Sequence, residues 1–80
     1  MKSYTYNGKK NVTGEKIYLA RTAEKLSQDA LSGRLAKHDV SICRDAISKI
    51  ENGDRLVRDY ELMAIAKICK TTVAHLIGED

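Results

Sequence analysis

Apolar residues along the chain recur at helical spacings. Ile17 and Ala20, followed by Ala23 or Glu24, mark one stripe; Leu31 and Leu35 mark a second, and Ile47 and Ile50 a third. Leu62, Ile65, Ala66 and Cys69 form an i, i+3, i+4, i+7 set. Each pattern puts its members on one helix face, unlike the two-residue alternation of a half-buried strand. Local signals divide the pattern into five predicted helices. The first runs from Gly14 to about Lys25 with Thr13 as N-cap. The second opens at the cap Ser27, with Leu26 and Leu31 at the two positions of a hydrophobic staple, and ends near His38, with Asp39 beyond it. The third spans about Arg44 to Asn52 (44–52), and Gly53 stops it by taking the left-handed conformation at no Cβ cost. The fourth starts near Asp59. The fifth runs from Val73 to Ile77, capped by Thr72 and stopped by Gly78. Residues 1–12 are polar with an Asn7-Gly8 turn signal. They read as a flexible arm, or as a short extended segment through Tyr4 and Tyr6, ahead of a folded domain over 13–80.

Composition supports an all-α bundle. The 80 residues contain no Pro, Trp or Phe, and 42% are hydrophobic, mostly aliphatic. That suits one small domain with a modest core. There is neither an internal repeat nor a low-complexity segment. No apolar run approaches the roughly 18 residues that suggest a membrane span, so no membrane partner is expected. The first residues lack the apolar stretch of a signal peptide, which predicts a cytoplasmic location.

The net charge of +3 is unevenly placed. Residues 1–27 carry six basic and two acidic side chains; residues 59–80 carry two basic and four acidic ones. A basic front and an acidic back suit a chain that turns one side to a polyanion. Cys43 and Cys69 have no metal-ligand spacing to each other or to His38 and His75. No metal or other cofactor is expected, and free thiols are the favoured reading over a disulfide. There are no paired carboxylates, phosphate-binding glycine loop or nucleophile elbow, so an enzyme is not expected.

The run Ile47-Ser48-Lys49-Ile50-Glu51-Asn52-Gly53 resembles the recognition-helix segment of the lambda-repressor-like (Cro/C1-type, XRE) helix-turn-helix family. Gly14-Glu15-Lys16-Ile17 resembles the family's opening of helix 1, with Arg21 at the family's distance before Leu26-Ser27-Gln28. Ile65-Ala66-Lys67, Thr72 and Leu76-Ile77-Gly78 resemble its closing helices. Eight residues, Ala36 to Cys43, separate Leu35 from Arg44 where the short-turn form has three. That length, with Val40-Ser41-Ile42-Cys43-Arg44 and Arg55 before Asp59-Tyr60-Glu61, is similar to a long-turn variant among regulators of phages and Gram-positive bacteria. In four further places the chain departs from the common pattern. Cys43 replaces a Ser cap, Lys25 and Lys70 stand where Gly is common, and Arg58 stands where a capping Ser is common.

The resemblance implies a compact five-helix domain whose third helix enters the major groove of double-stranded DNA. Arg44, Asp45, Ser48 and Lys49 are the candidate base readers, with Ala46 facing a thymine methyl. Arg44 or Lys49 can contact guanine O6 and N7, and Asp45 can accept from cytosine N4 or hold Arg44 in place. Gln28, Cys43, Asn52, Arg55, Lys9 and Lys10 are the candidate phosphate contacts. Gln28 sits at a helix N-terminus, where free N–H groups favour an anion. The resemblance also implies an ion pair between Arg21 and Glu51 inside the bundle. Bland readings stand beside these. Ile47, Ile50 and Leu56 pack, Tyr60 packs, Asp45 serves its helix dipole, and Cys43 is a small cap substitute. The function implied is a sequence-specific transcriptional regulator, a repressor of phage or mobile-element type, bound to a pseudo-palindromic operator in the cytoplasm of a bacterial or phage-infected cell. A homodimer is expected, with helix 5 and Leu76-Ile77 as its surface unless they only close the core. The rival reading is a protein-binding module, an antitoxin or adaptor built on the same fold.

Overall fold

The computed structural model describes residues 5–79, so residues 1–4 of the expected arm, Tyr4 among them, and Asp80 lie outside it. Five helices follow in order: α1 (Gly14–Ala23), α2 (Gln28–Lys37), α3 (Arg44–Glu51), α4 (Asp59–Ile68) and α5 (Val73–Leu76). Among the described residues there is no strand, only an isolated bridge between Tyr6 and Lys9. No helix is long and apolar enough to cross a membrane.

All five helices stop the same way. Lys25, Asp39, Gly53, Lys70 and Gly78 each take a positive φ just after a helix. The following N–H then reaches back five residues: Leu26 to Arg21 O, Val40 to Leu35 O, Asp54 to Lys49 O, Thr71 to Ala66 O and Glu79 to Ala74 O. This closure satisfies helix-end carbonyls that would otherwise lack donors. Lys25, Asp39 and Lys70 do it with a Cβ, at about 1–2 kcal/mol each. The starts are less uniform. Ser27 and Thr72 accept from the N–H of Ala30 and His75. Cys43 makes no side-chain cap bond. Thr13 makes none either; Asn11 Oδ1 instead accepts from the N–H of Thr13 and Gly14. At α4 the Arg58 N–H donates to Glu61 Oε1 at 2.9 Å. Asp59 is the first residue of α4 and does not carry that cap.

The core follows the sequence stripes. Ile17, Leu31, Leu35, Ile47, Ile50, Ile65 and Leu76 are almost fully buried. Helix α2 packs on α3 and α4, α1 packs on α3 and α5, and α4 on α5. The long turn between α2 and α3 is not a solvent loop. It buries Val40 and Ile42, and Ser32 Oγ donates to Ile42 O at 2.7 Å. The structure decides two points left open, the inner residue at the end of α1 and the role of Leu76, and corrects a third, the packing of Leu56 and Tyr60. α1 ends at Ala23, which is exposed, while Glu24 is half-buried beside Lys70. Leu56 and Tyr60 do not pack: they are 50% and 54% exposed. Leu76 is buried and closes the core, so it is no docking surface, while Ile77 is exposed. Cys43 is an exposed and Cys69 a buried free thiol, and burial pushes the Cys69 thiol up.

The described part of the N-terminal segment is tied down. Asn7 and Gly8, both at positive φ, make the tight turn between Tyr6 and Lys9, the geometry of a two-residue type I′ hairpin. The Lys10 N–H then donates to Gly53 O at 2.8 Å, and Lys9 Nζ donates to Asn52 O at 3.0 Å. Asn11 Nδ2 donates to Ile50 O and to Arg55 O. One Asn side chain thus caps α1 and fastens it to the end of α3. There the helices meet closely. A Cβ on Gly14 would run into Ile50 O and lie 2.8 Å from Glu51 O.

Candidate nucleic-acid interface

Helix α3 is amphipathic in the plainest sense. Ile47 and Ile50 face the core, and Arg44, Asp45 and Lys49 are exposed. Ala46 and Ser48 lie at the edge, half-buried, and Ala46 packs against the core. Ser48 therefore offers less of its surface than Arg44, Asp45 and Lys49. Arg44 has weak acidic company, Asp45 at 3.7 Å and Asp29 of α2 at 4.0 Å, all three highly exposed. Such pairs contribute little energy, but they bias where the guanidinium points.

What holds α3 in place is a buried polar node. Arg21 Nε donates to Glu51 Oε2 at 2.6 Å and Nη2 to Oε1 at 3.0 Å, with side chains 9% and 6% exposed. The third donor, Nη1, reaches Leu26 O at 2.7 Å. Gln28 Nε2 donates to Glu51 Oε1 at 3.0 Å. The guanidinium also sits over the Tyr18 ring, 5.4 Å from its centre. The hydrogen bond with Glu51 raises the Arg21 pKa further, and burial opposes it. One carboxylate at the end of α3 thus gathers α1 and the start of α2. A bidentate arginine fork fixes orientation as well as distance.

Two hollows flank the helix. Gln28, Lys9, Asn11, Asn52 and Tyr18 line the first, beside the Arg21–Glu51 node. Gln28 thus stands at the α2 N-terminus, yet its amide is already engaged by Glu51. Lys10, Ala46, Lys49, Arg55, Leu56 and Arg58 line the second. Cys43 and Asn52, at the two ends of α3, are exposed. Arg55 is less free than its type suggests. Its guanidinium bonds both oxygens of Glu61, at 3.0 and 3.2 Å, and donates to Leu56 O. Glu61 is buried, which pushes its carboxyl up. The hydrogen bonds from Arg55 and from the Arg58 N–H outweigh that and hold it below the ordinary carboxylate range.

Sequence reasoning missed Asn11, Glu61 and Arg58. Two had signals. Asn is among the best caps and stands just before the first helix, and Glu61 stands three residues after Arg58, the spacing of a capping box. Nothing in the sequence placed exposed Arg58 across a hollow from Lys10 and Lys49. Among the described residues, no three His, Cys, Asp or Glu side chains gather to hold a metal.

Neither a scan against family models nor a search of curated proteins returns a match. Among solved structures, the chain is similar to the P22 c2 repressor protein, determined in complex with the synthetic operator 9T in the presence of Tl+. The two superpose with a TM-score of 0.71 and 27% identity, over 88% of this chain and 98% of that one. The chain has the lambda-repressor-like helix-turn-helix fold. Within it, α2 and α3 are the helix-turn-helix pair, joined by the long turn that buries Val40 and Ile42.

Proposed function

We propose that this protein is a sequence-specific DNA-binding transcriptional regulator, a repressor that acts by occupying its operator. The observation that carries the reading is the solvent face of α3. Arg44, Asp45 and Lys49 stand exposed on a helix whose other face is locked into the core, in a fold similar to that of a repressor solved on operator DNA. An α-helix fits the major groove, and exposed polar side chains along its solvent face, those of its first turns above all, reach base edges. Arg44 reads guanine, steered by Asp45; Lys49 reads one turn further on, and Ser48 supplements them at the edge.

Phosphates are held on both sides. Gln28 and the free N–H groups of α2, with Lys9 and Asn52, serve one strand. Lys10 and Arg58 serve the other, with Lys49 and Arg55 at the same hollow, while Cys43 borders the start of α3. One domain of this size reads few base pairs, so two copies on a pseudo-palindrome match protein symmetry to DNA symmetry. Selection of bound sequences from random duplex DNA tests the reading. Recovery of one short motif, repeated with two-fold symmetry, is the expected result. Failure to enrich any motif at low salt overturns it, and the protein-binding module becomes the better account.

A further inference from the structure

Helix α4 leaves one face uncovered. Asp59, Tyr60, Met63 and Lys67 are all exposed, although the opposite face, Ala64, Ile65 and Ile68, is core. Tyr60 and Met63 are each 54% exposed, and Leu56, just ahead of the helix, is 50% exposed. The face borders the recognition helix, since Leu56 lines the same hollow as Ala46 and Lys49 of α3.

The charges on this face have a symmetry of their own. Asp59, Met63 and Lys67 lie at i, i+4 and i+8, one ridge along the helix, with an acid and a base each four residues from the methionine. An antiparallel copy related by a two-fold axis at Met63 therefore sets Asp59 of each copy against Lys67 of the other. An isologous contact requires this kind of self-complementarity, in which residue i meets j and j meets i. Ridges of i±4 spacing also pack into one another at a crossing of about 50°, the commonest arrangement of two helices. Antiparallel alignment brings each helix's positive end beside its partner's negative end.

We infer that a second copy of this chain docks on this face, α4 against α4, centred on Met63 and flanked by two Asp59–Lys67 pairs. Tyr60 and Leu56 widen the apolar centre. The inference rests on the operator reading for the need of a second copy, but its geometry is independent of DNA. A single pair of ten-residue helices buries little area, so the dimer is weak when free and strengthens when adjacent half-sites hold both copies together.

Sedimentation equilibrium over a concentration series tests it with a charge swap. Asp59→Lys and Lys67→Asp, each alone, weaken self-association by roughly tenfold, as expected when two modest exposed ion pairs become repulsive. The double variant Asp59→Lys/Lys67→Asp regains the parent's association. An equimolar mixture of the two single variants associates as well, since each supplies the sign the other lacks. That restoration uses the same polypeptides and so excludes a folding defect. Binding to duplexes with one or two half-sites of the selected motif forms the second arm. Lys67→Asp keeps the parent's affinity for one half-site and loses cooperativity on two. If the parent stays monomeric both free and on the two-site duplex, or associates regardless of these charges, the interface is wrong. If association follows the charge pattern but no duplex is bound specifically, the interface stands and the operator reading falls.

Discussion

The polar node at the end of α3 makes the sharpest stability prediction. Glu51→Ala removes the acceptor of two Arg21 hydrogen bonds and one from Gln28. Arg21 keeps its bond to Leu26 O but is left as a charge whose side chain is 9% exposed. Removing one partner of a buried pair costs about 3–5 kcal/mol, because the remaining charge loses its partner without regaining water. A domain of 80 residues has a total stability of roughly 4–12 kcal/mol at 0.05–0.15 per residue, so the loss is a large fraction of the whole. At about 4–8 °C per kcal/mol for this size, the thermal midpoint falls by about 12 °C or more. Lys49→Ala, two residues away and exposed, should change stability by only about 0.5 kcal/mol. Thermal melts followed by circular dichroism compare the two. Arg21→Met combined with Glu51→Leu should recover much of the loss, because an apolar pair leaves no unmet charge. Equal midpoints for Glu51→Ala and Lys49→Ala would sink the argument, as would a double variant no better than Glu51→Ala.

Gly14→Ala should destabilise by about 1–3 kcal/mol through overlap with the Ile50 carbonyl. Gly33→Ala, in α2 with open space around it, should stabilise by roughly 0.5–1 kcal/mol, and denaturant melts measure both. Arg44→Ala should leave the fold intact, weaken operator binding by about 1–3 kcal/mol and relax one base position in a repeated selection. Replacing Lys9 and Lys10 by Ala should lower the slope of log affinity against log salt by about 2, at roughly 0.9 per phosphate contact; an unchanged slope removes both from the interface. Glu61 is held below its ordinary range, so its contribution is present above the unfolded carboxylate pKa and lost as pH falls through its lower folded value. Acid melts of Glu61→Gln should therefore start from lower stability at neutral pH and fall less steeply than the parent's.

The helices were legible because they are local. Periodic stripes such as Ile47 and Ile50 need only a few neighbouring residues to state which face turns inward, and the caps Ser27 and Thr72 act within one turn. The stop at Gly53 is local too, and so are the left-handed positions of Lys25 and Lys70, which the comparison with a family pattern marked by the glycines they replace. Leu56 and Tyr60 misled for the same reason. Apolar character states a preference for burial, but only the packed bundle decides whether a partner surface exists, and here none covers them. Asn11 shows the limit from the other side. Its residue type offered at most the signal of a helix cap; its bonds to Ile50 O and Arg55 O, 39 and 44 positions away, exist only once α1 has met the end of α3. Likewise Arg55 and Glu61 are ordinary charges in sequence, and the fold turns them into a mutual tie that commits much of a partly exposed cation's hydrogen bonding inside the protein. Helix type, order and inner face were thus determined by the chain itself, through backbone geometry and short-range chemistry. Which charges remained free to meet another molecule was decided by tertiary packing, because desolvation and pairing depend on residues distant in sequence.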